Sequence, residues 1–428
     1  MTHKFIVVLL LATAIGAAAQ QPAEGAPVSL PVLQLDDVVR RVLATNPAVS
    51  NSRHTIEAQR RRIVQAGALP DPNLSVSWMG DPIPFKTQEM DPSSYRGVSL
   101  MQMFPLGGKR GLRREMARRE VGAFEADQTA TERRLVAEAK VAFYEFFQAD
   151  KALEITNRNK ARLQQLTEIS EARYKVGKAM QQDVLRAQVE LSMLLQRIVT
   201  LEQQREVAAA RVNTLMGQPS EAPLPRAADF KKAAIPALTE ITALAAANDP
   251  MLRREQSMVE RNKIAVTMAR KEYVPDLSVG YMFQQRSGMP DMNGMQLTVN
   301  LPIFYKSKQR EGVEQAKQEL LAAERSRDAR HLELLYELKQ MHAMAVSSEK
   351  MLDLYEKAII PQAELALSSA QSSYSVGAVD FLTVVTNFST INQYQIDYFR
   401  QLADYQTAIA RIEALTGDLD LAGIKEKR

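Results

Sequence analysis

The same ordered set of landmarks occurs twice in this chain, about 200 residues apart, and this duplication limits the fold more than any other feature. Tyr174-Lys175-Val176-Gly177 returns as Tyr374-Ser375-Val376-Gly377. Arg211-Val212-Asn213-Thr214-Leu215-Met216-Gly217 returns as Arg411-Ile412-Glu413-Ala414-Leu415-Thr416-Gly417. Asn46-Pro47 pairs with Asp249-Pro250, and Pro70-Asp71-Pro72-Asn73-Leu74-Ser75-Val76 with Pro275-Asp276-Leu277-Ser278-Val279. One structural unit used twice in a chain of 428 residues implies two fused halves with a pseudo-twofold relation, not two or three unrelated domains. The first repeat is assigned to residues 35–217, a linker to 218–236 and the second repeat to 237–417.

The ends read differently. Residues 1–19 have the form of a secretory signal: Lys4, then an apolar run from Phe5 to Ile15, then Ala17-Ala18-Ala19 as a small-residue cleavage site. Residues 20–34, with Pro22, Pro27 and Pro31, form an extended leader, and residues 418–428 a C-terminal tail. No later segment offers 18 consecutive apolar residues, so no transmembrane helix is expected. Cysteine is absent, which removes disulfides, thiolate metal sites and cysteine nucleophiles. The formal charge of +4 gives no case for nucleic acid. There is no phosphate loop, nucleophile elbow, His-Glu-x-x-His or dinucleotide fingerprint, so neither an enzyme nor a cofactor is indicated.

Between these ends the chain is expected to be mostly helical. Aromatics make up only 6% of residues, too few for a thick core. Helices are expected over about 36–45 and 47–68, with Asn46 as cap and Pro47 at the first position. Residues 111–174 contain no proline and, at 1.5 Å per residue, would extend roughly 95 Å. Lys306 to Tyr374 matches this stretch except for Pro361. Shorter helices, about 181–216 and 379–416, return after each Val-Gly turn. The helices of about 22 and about 36 residues, stacked end to end, nearly equal the long one, so each half makes one long strut and one two-piece strut. Helices of this length need lateral partners throughout, as in coiled coils.

Four segments alternate instead with period two: about 73–79, 96–104, 276–285 and 294–303. Leu277, Val279, Tyr281 and Phe283 alternate with Ser278, Gly280 and Gln284. Four strands cannot close a barrel alone. They form either a barrel wall shared by several chains or a small sheet covered by helices.

The whole arrangement resembles the TolC family of outer-membrane efflux channels. The likeness rests on the tip motif Tyr174-Lys175-Val176-Gly177 followed by Asp183-Val184-Leu185-Arg186-Ala187-Gln188. It rests also on Phe104-Pro105-Leu106-Gly107-Gly108-Lys109-Arg110 between strand and long helix, the Asn46-Pro47 start and the terminal Leu-x-Gly of each half. The resemblance implies a mainly α fold with a small β part. A homotrimer would pool four strands per chain into a twelve-stranded outer-membrane β-barrel above a periplasmic α-barrel of coiled helical hairpins. It implies a passive duct, driven by an inner-membrane pump of the resistance-nodulation-division type and joined to it by a periplasmic adaptor. Val176, Gly177, Val376 and Gly377 would be the adaptor-docking tips, and Tyr374 and Asp183 would tie the periplasmic gate shut. Some family members carry an arginine where this chain has Val379 and acids where it has Thr383 and Thr386, so Asp380 is the candidate for a substitute acidic ring, or else a helix-terminal charge.

Two further signals remain open in the sequence. Lys109, Arg110, Arg113 and Arg114, then Lys306, Lys308 and Arg310, cluster after the second strand of each half, either facing lipid phosphates or simply solvated. Met79, Met90, Met101, Met103, Met282, Met289, Met292 and Met295 gather around the strands, where thioethers either suit Cu(I) or fill gaps. His54, His331 and His342 lack accompanying carboxylates and define no metal site. The cargo is accordingly a heavy-metal cation or a drug-like organic compound, and the Gly-Lys-Arg junction resembles channels serving heavy-metal pumps. A type I protein-secretion duct and a periplasmic coiled-coil adaptor are the alternatives.

Overall fold

The computed structural model describes residues 32–81 and 86–417, so the signal segment, most of the leader and the tail lie outside the described residues. The first half runs α1 (Leu35–Thr45), α2 (Pro47–Ala66), β1 (Asn73–Met79), β2 (Tyr95–Phe104), α3 (Lys109–Lys175) and α4 (Gln181–Leu215). The second runs α5 (Leu238–Asn248), α6 (Pro250–Lys271), β3 (Leu277–Gln285), β4 (Met292–Val299), α7 (Gln309–Leu354), α8 (Ile360–Ser375) and α9 (Phe381–Thr416). Equivalent local chemistry starts equivalent helices. The Asn46 side chain accepts from Ala48 N at 2.9 Å ahead of Pro47, and Asp249 accepts from Leu252 N at 2.9 Å ahead of Pro250.

α3 is a single helix of 67 residues, about 100 Å long at the standard rise. Its counterpart is not uniform. Residues Tyr355–Ile359 form a π-helical turn joining α7 to α8, immediately before Pro361. Proline has no N–H to give and its ring crowds the carbonyl four residues back, and one wide turn accommodates both without breaking the strut. Helix–helix packing keeps burial in thin seams. In one seam α1 lays Val38 and Val42 on Phe143 and Phe146 of α3, and the linker's Phe230 sits 4.6 Å from Phe147, centroid to centroid. In the equivalent seam α5 places Ile241 against Leu334 and Leu338 of α7 and Tyr405 of α9.

The strands form one antiparallel meander, β1-β2-β3-β4, in which β2 and β3 join the two halves. Leu74, Leu100, Tyr281 and Met295 lie in one row across it, and Val76, Val98 and Phe283 in the next. β4 covers Met292–Val299 where 294–303 was expected. The ladder stops at the Leu277–Val299 pair because Pro275 precedes its partner strand, and Pro302 then cannot donate. Among the described residues no helix is long and apolar enough to cross a bilayer.

Candidate functional site: the hairpin tips and the exposed sheet

Both hairpins reverse by the same hydrogen-bond pattern. Gly177 N donates to the Tyr174 carbonyl at 2.9 Å and Lys178 N to the Arg173 carbonyl at 2.8 Å. Gly377 N donates to the Tyr374 carbonyl at 3.0 Å and Ala378 N to the Ser373 carbonyl at 2.9 Å. This is a Schellman closure, which requires a left-handed residue, and Gly177 (φ 71°) and Gly377 (φ 80°) supply it. No atom lies within 4 Å of where a Cβ would stand at either glycine, so conformation alone selects glycine there. Val176 and Val376 project beside them and are exposed.

The return helices start with the same contact in reversed polarity. In the first repeat Met180 precedes α4, and its N–H donates to Asp183 Oδ2 at 3.4 Å. In the second, Asp380 precedes α9 and its Oδ1 accepts from Thr383 N at 2.9 Å and Thr383 Oγ1 at 2.6 Å. The Thr383 hydroxyl, then its backbone N–H, hold the Asp380 carboxyl below the usual aspartate range. Asp183 and Asp380 are therefore both helix-start carboxylates in this chain. Tyr374 occupies a different place. Its ring is buried among Ala187, Ala370, Phe381, Val384 and Val385, while its repeat equivalent Tyr174 is exposed. The Tyr374 hydroxyl is buried and has no hydrogen-bond partner among the described residues of the chain, so it is not joined to Asp183 there.

A polar contact that does cross between the tips comes from Arg173, which sequence reasoning passed over. Its Nη1 donates to the Tyr374 carbonyl at 3.0 Å and to the Ser375 carbonyl at 2.9 Å, at the C-terminal end of α8. Its guanidinium lies over the Tyr374 ring, 4.7 Å from the centroid. Positive charge on open helix carbonyls and on an aromatic face is favourable in both respects. The available signal was asymmetry: the repeat equivalent of Arg173 is Ser373.

At the opposite end of the helices, Lys109 is buried and donates to the Val274 carbonyl and Asp276 Oδ1, both at 2.9 Å. Arg110 donates from Nε and Nη2 to the Gly67 carbonyl at 3.0 and 2.9 Å. These two bases lock the strand-to-helix junction from inside, so the lipid-phosphate reading fails for them. Lys306, Lys308 and Arg310 are exposed.

The sheet beyond this junction has one apolar and one polar face. Leu74, Val76, Val98, Leu100, Tyr281, Met295, Leu297 and Val299 share the apolar face and are all exposed, Val76 at 79% and Met295 at 83%. An apolar surface of this extent, on a sheet with two open edges, needs a covering medium or partner.

The comparisons with known proteins agree with this geometry. The family model for outer membrane efflux protein matches residues 38–218 and again 242–418. The structure of the CusC channel aligns with a TM-score of 0.77 at 15% identity, covering 92% of this chain and 95% of that one. The outer membrane protein VceC of Vibrio cholerae aligns at 0.75 with 16% identity, over 90% and 96% of the two chains. The open state of the Neisseria gonorrhoeae MtrE outer membrane channel aligns at 0.74 with 16% identity, over 91% of each chain. No curated relative matches in sequence. The family assignment displaces the periplasmic-adaptor alternative and gives the exposed apolar sheet its medium. The chain belongs to the outer membrane efflux protein family and is a protein of the outer membrane.

Proposed function

We propose that this chain is the passive outer-membrane duct of a tripartite efflux system, working as a homotrimer. The observation that carries the reading is the four-stranded sheet whose apolar face is exposed across all its strands and whose edges β1 and β4 are open. A bilayer covers such a face but leaves no water for open edges, so the edges must pair with other copies. Three copies give twelve strands, an even closed barrel. The helices continue into the periplasm, and their tips carry exposed Val176 and Val376 beside Gly177 and Gly377 as the docking point for a periplasmic adaptor. The adaptor connects the duct to an inner-membrane pump of the resistance-nodulation-division type, which supplies the energy. Asp183, Tyr374 and Asp380 stand around the closable periplasmic entrance.

Three measurements test this reading. Native mass spectrometry of the detergent-purified protein should give a trimer, and a monomer under conditions that keep the sheet folded overturns it. Since the chain has no cysteine, Val176→Cys and Val376→Cys provide unique cross-linking handles at the tips. They should capture a periplasmic adaptor in cells, and handles placed in the linker 218–236 should not. Growth of a deletion strain, with plasmid complementation, across copper, silver, zinc, cobalt, dyes, bile salts and antibiotics then separates metal from organic cargo. A strain with no complemented phenotype instead favours protein secretion.

A further inference from the structure

The methionines around the strands do not fall where hydrophobic filler would. Among the strand methionines only Met295 lies on the apolar face. The other five share the opposite face, whose remaining residues include Ser75, Ser77, Ser99, Gln284, Gln296 and Thr298. The strand register also orders them. Met103 is level with Ser278 and Thr298, and Met101 with Asn73, Gly280 and Gln296. Met282 is level with Ser75, Ser99 and Gly294, Met292 with Ser77, Gly97 and Gln284, and Met79 with Tyr95. Five successive levels of one face thus carry one methionine each. The levels run from the helical end of the sheet to its far end, in steps of about 6.6 Å, two residues of strand rise.

Two of these side chains lie across glycines on the adjoining strand. Met101 Cε is 3.6 Å from where a Gly280 Cβ would be, and Met282 Sδ is 3.3 Å from where a Gly294 Cβ would be. All five methionines are partly or well exposed. Thioethers lying on a Ser-, Gly- and Gln-rich wall gain little from packing. They are soft, neutral donors, weak individually and suited to a d¹⁰ monovalent cation such as Cu(I) or Ag(I). A series of weak sites at successive levels along the strands is also what passage requires, since an ion must bind well enough to enter yet leave at each step.

We propose that the polar face of the sheet is a thioether ladder, Met103–Met101–Met282–Met292–Met79, that binds soft monovalent cations and passes them along the barrel lumen. The inference rests on the trimeric-duct reading, because only a closed barrel turns this face into a lumen.

The test uses the full mature protein in planar bilayers with nitrate salts and Ag(I) as probe. Silver should reduce the ionic current of the native channel and of the control Met295→Leu. Met101→Leu/Met103→Leu/Met282→Leu, which keeps side-chain volume, should need at least ten times more silver for the same reduction. Equal block of native and triple-variant channels overturns the ladder and leaves the duct standing, as does a conducting native channel that ignores silver. A native protein that forms no channel overturns both. Silver-edge X-ray absorption on the native protein gives a second reading that needs no variant. With no cysteine in the chain, any Ag–S scattering reports methionine, and a shell of oxygen and nitrogen alone overturns the ladder.

Discussion

Arg173 holds two carbonyls and an aromatic face of the other repeat with one planar side chain. Both bonds leave the single nitrogen Nη1, so a lysine ammonium keeps the charge at the carbonyls but loses the planar group that lies over the Tyr374 ring. Arg173→Ala should loosen the tip by about 2 kcal/mol, the scale of hydrogen bonds made by a charged donor. Arg173→Lys should fall between that variant and the native chain. Conductance and sensitivity to large antibiotics, measured on assembled protein, should rise in the order native, lysine, alanine. A flat response would show that the tie is structural and not part of the entrance. The two tip glycines were legible in the sequence because a left-handed position leaves its mark as glycine in both repeats. Arg173 left only the asymmetry with Ser373, which marks the position without saying what the arginine faces. The expected pairing of Tyr374 with Asp183 depends on where α4 begins relative to α8, and Asp183 and Asp380 are each already engaged at their own helix start.

Among the elements, the α3–α9 interface ties the repeats together through buried polar groups. Lys140 pairs with Glu413 inside it, and Asn159 Nδ2 donates to Asn392 Oδ1 at 2.7 Å further towards the tips. An ion pair buried on both sides contributes little net stability, but removing one partner leaves a buried charge and costs about 3–5 kcal/mol. Lys140→Met should therefore lower the thermal midpoint sharply, and Lys140→Met with Glu413→Leu should regain most of it. Helical circular dichroism in detergent measures both. A second element-level expectation concerns Tyr405, whose hydroxyl donates to the Ala233 carbonyl under the α5–α7–α9 seam. Burial, with a smaller effect from Glu349, pushes its phenol up to about 12. The folded value lies above the unfolded one of about 10, so the stabilisation is complete below that pH and is lost as pH rises towards the folded value. Native protein should lose thermal stability over that alkaline window faster than Tyr405→Phe, which starts lower because it leaves the Ala233 carbonyl without its donor. Parallel curves would rule out Tyr405 as the titrating group. The long helices and strand segments were readable because each runs through many periods. Pro361 was readable only as an interruption: its accommodation in a π turn depends on packing along both flanks. Lys109 read as surface charge for a similar reason, since Asp276 and the Val274 carbonyl reach it only from the other half of the chain.

At the scale of the whole molecule, the two faces of the sheet make opposite demands, and adjacent residues of β4 separate them. Met295 lies in the central apolar row with Leu74, Leu100 and Tyr281, and Gln296 follows it on the polar face level with Gly280 and Met101. If the apolar row meets lipid near mid-depth, an arginine there costs about 2–4 kcal/mol in each chain, and the closed trimer incurs that cost three times. The same arginine one residue later enters water in the lumen and costs little, because strand side chains alternate between faces. Met295→Arg should therefore reduce the amount of heat-resistant trimer recovered from outer membranes several-fold. Gln296→Arg should leave that amount near native and alter ion selectivity towards anions. A sheet whose apolar face is left in water would instead tolerate both substitutions equally, since neither arginine would then be buried. This neighbouring pair tests the reading of the apolar face directly, because the two variants share charge, volume and strand, and differ only in the side of the wall on which the guanidinium emerges.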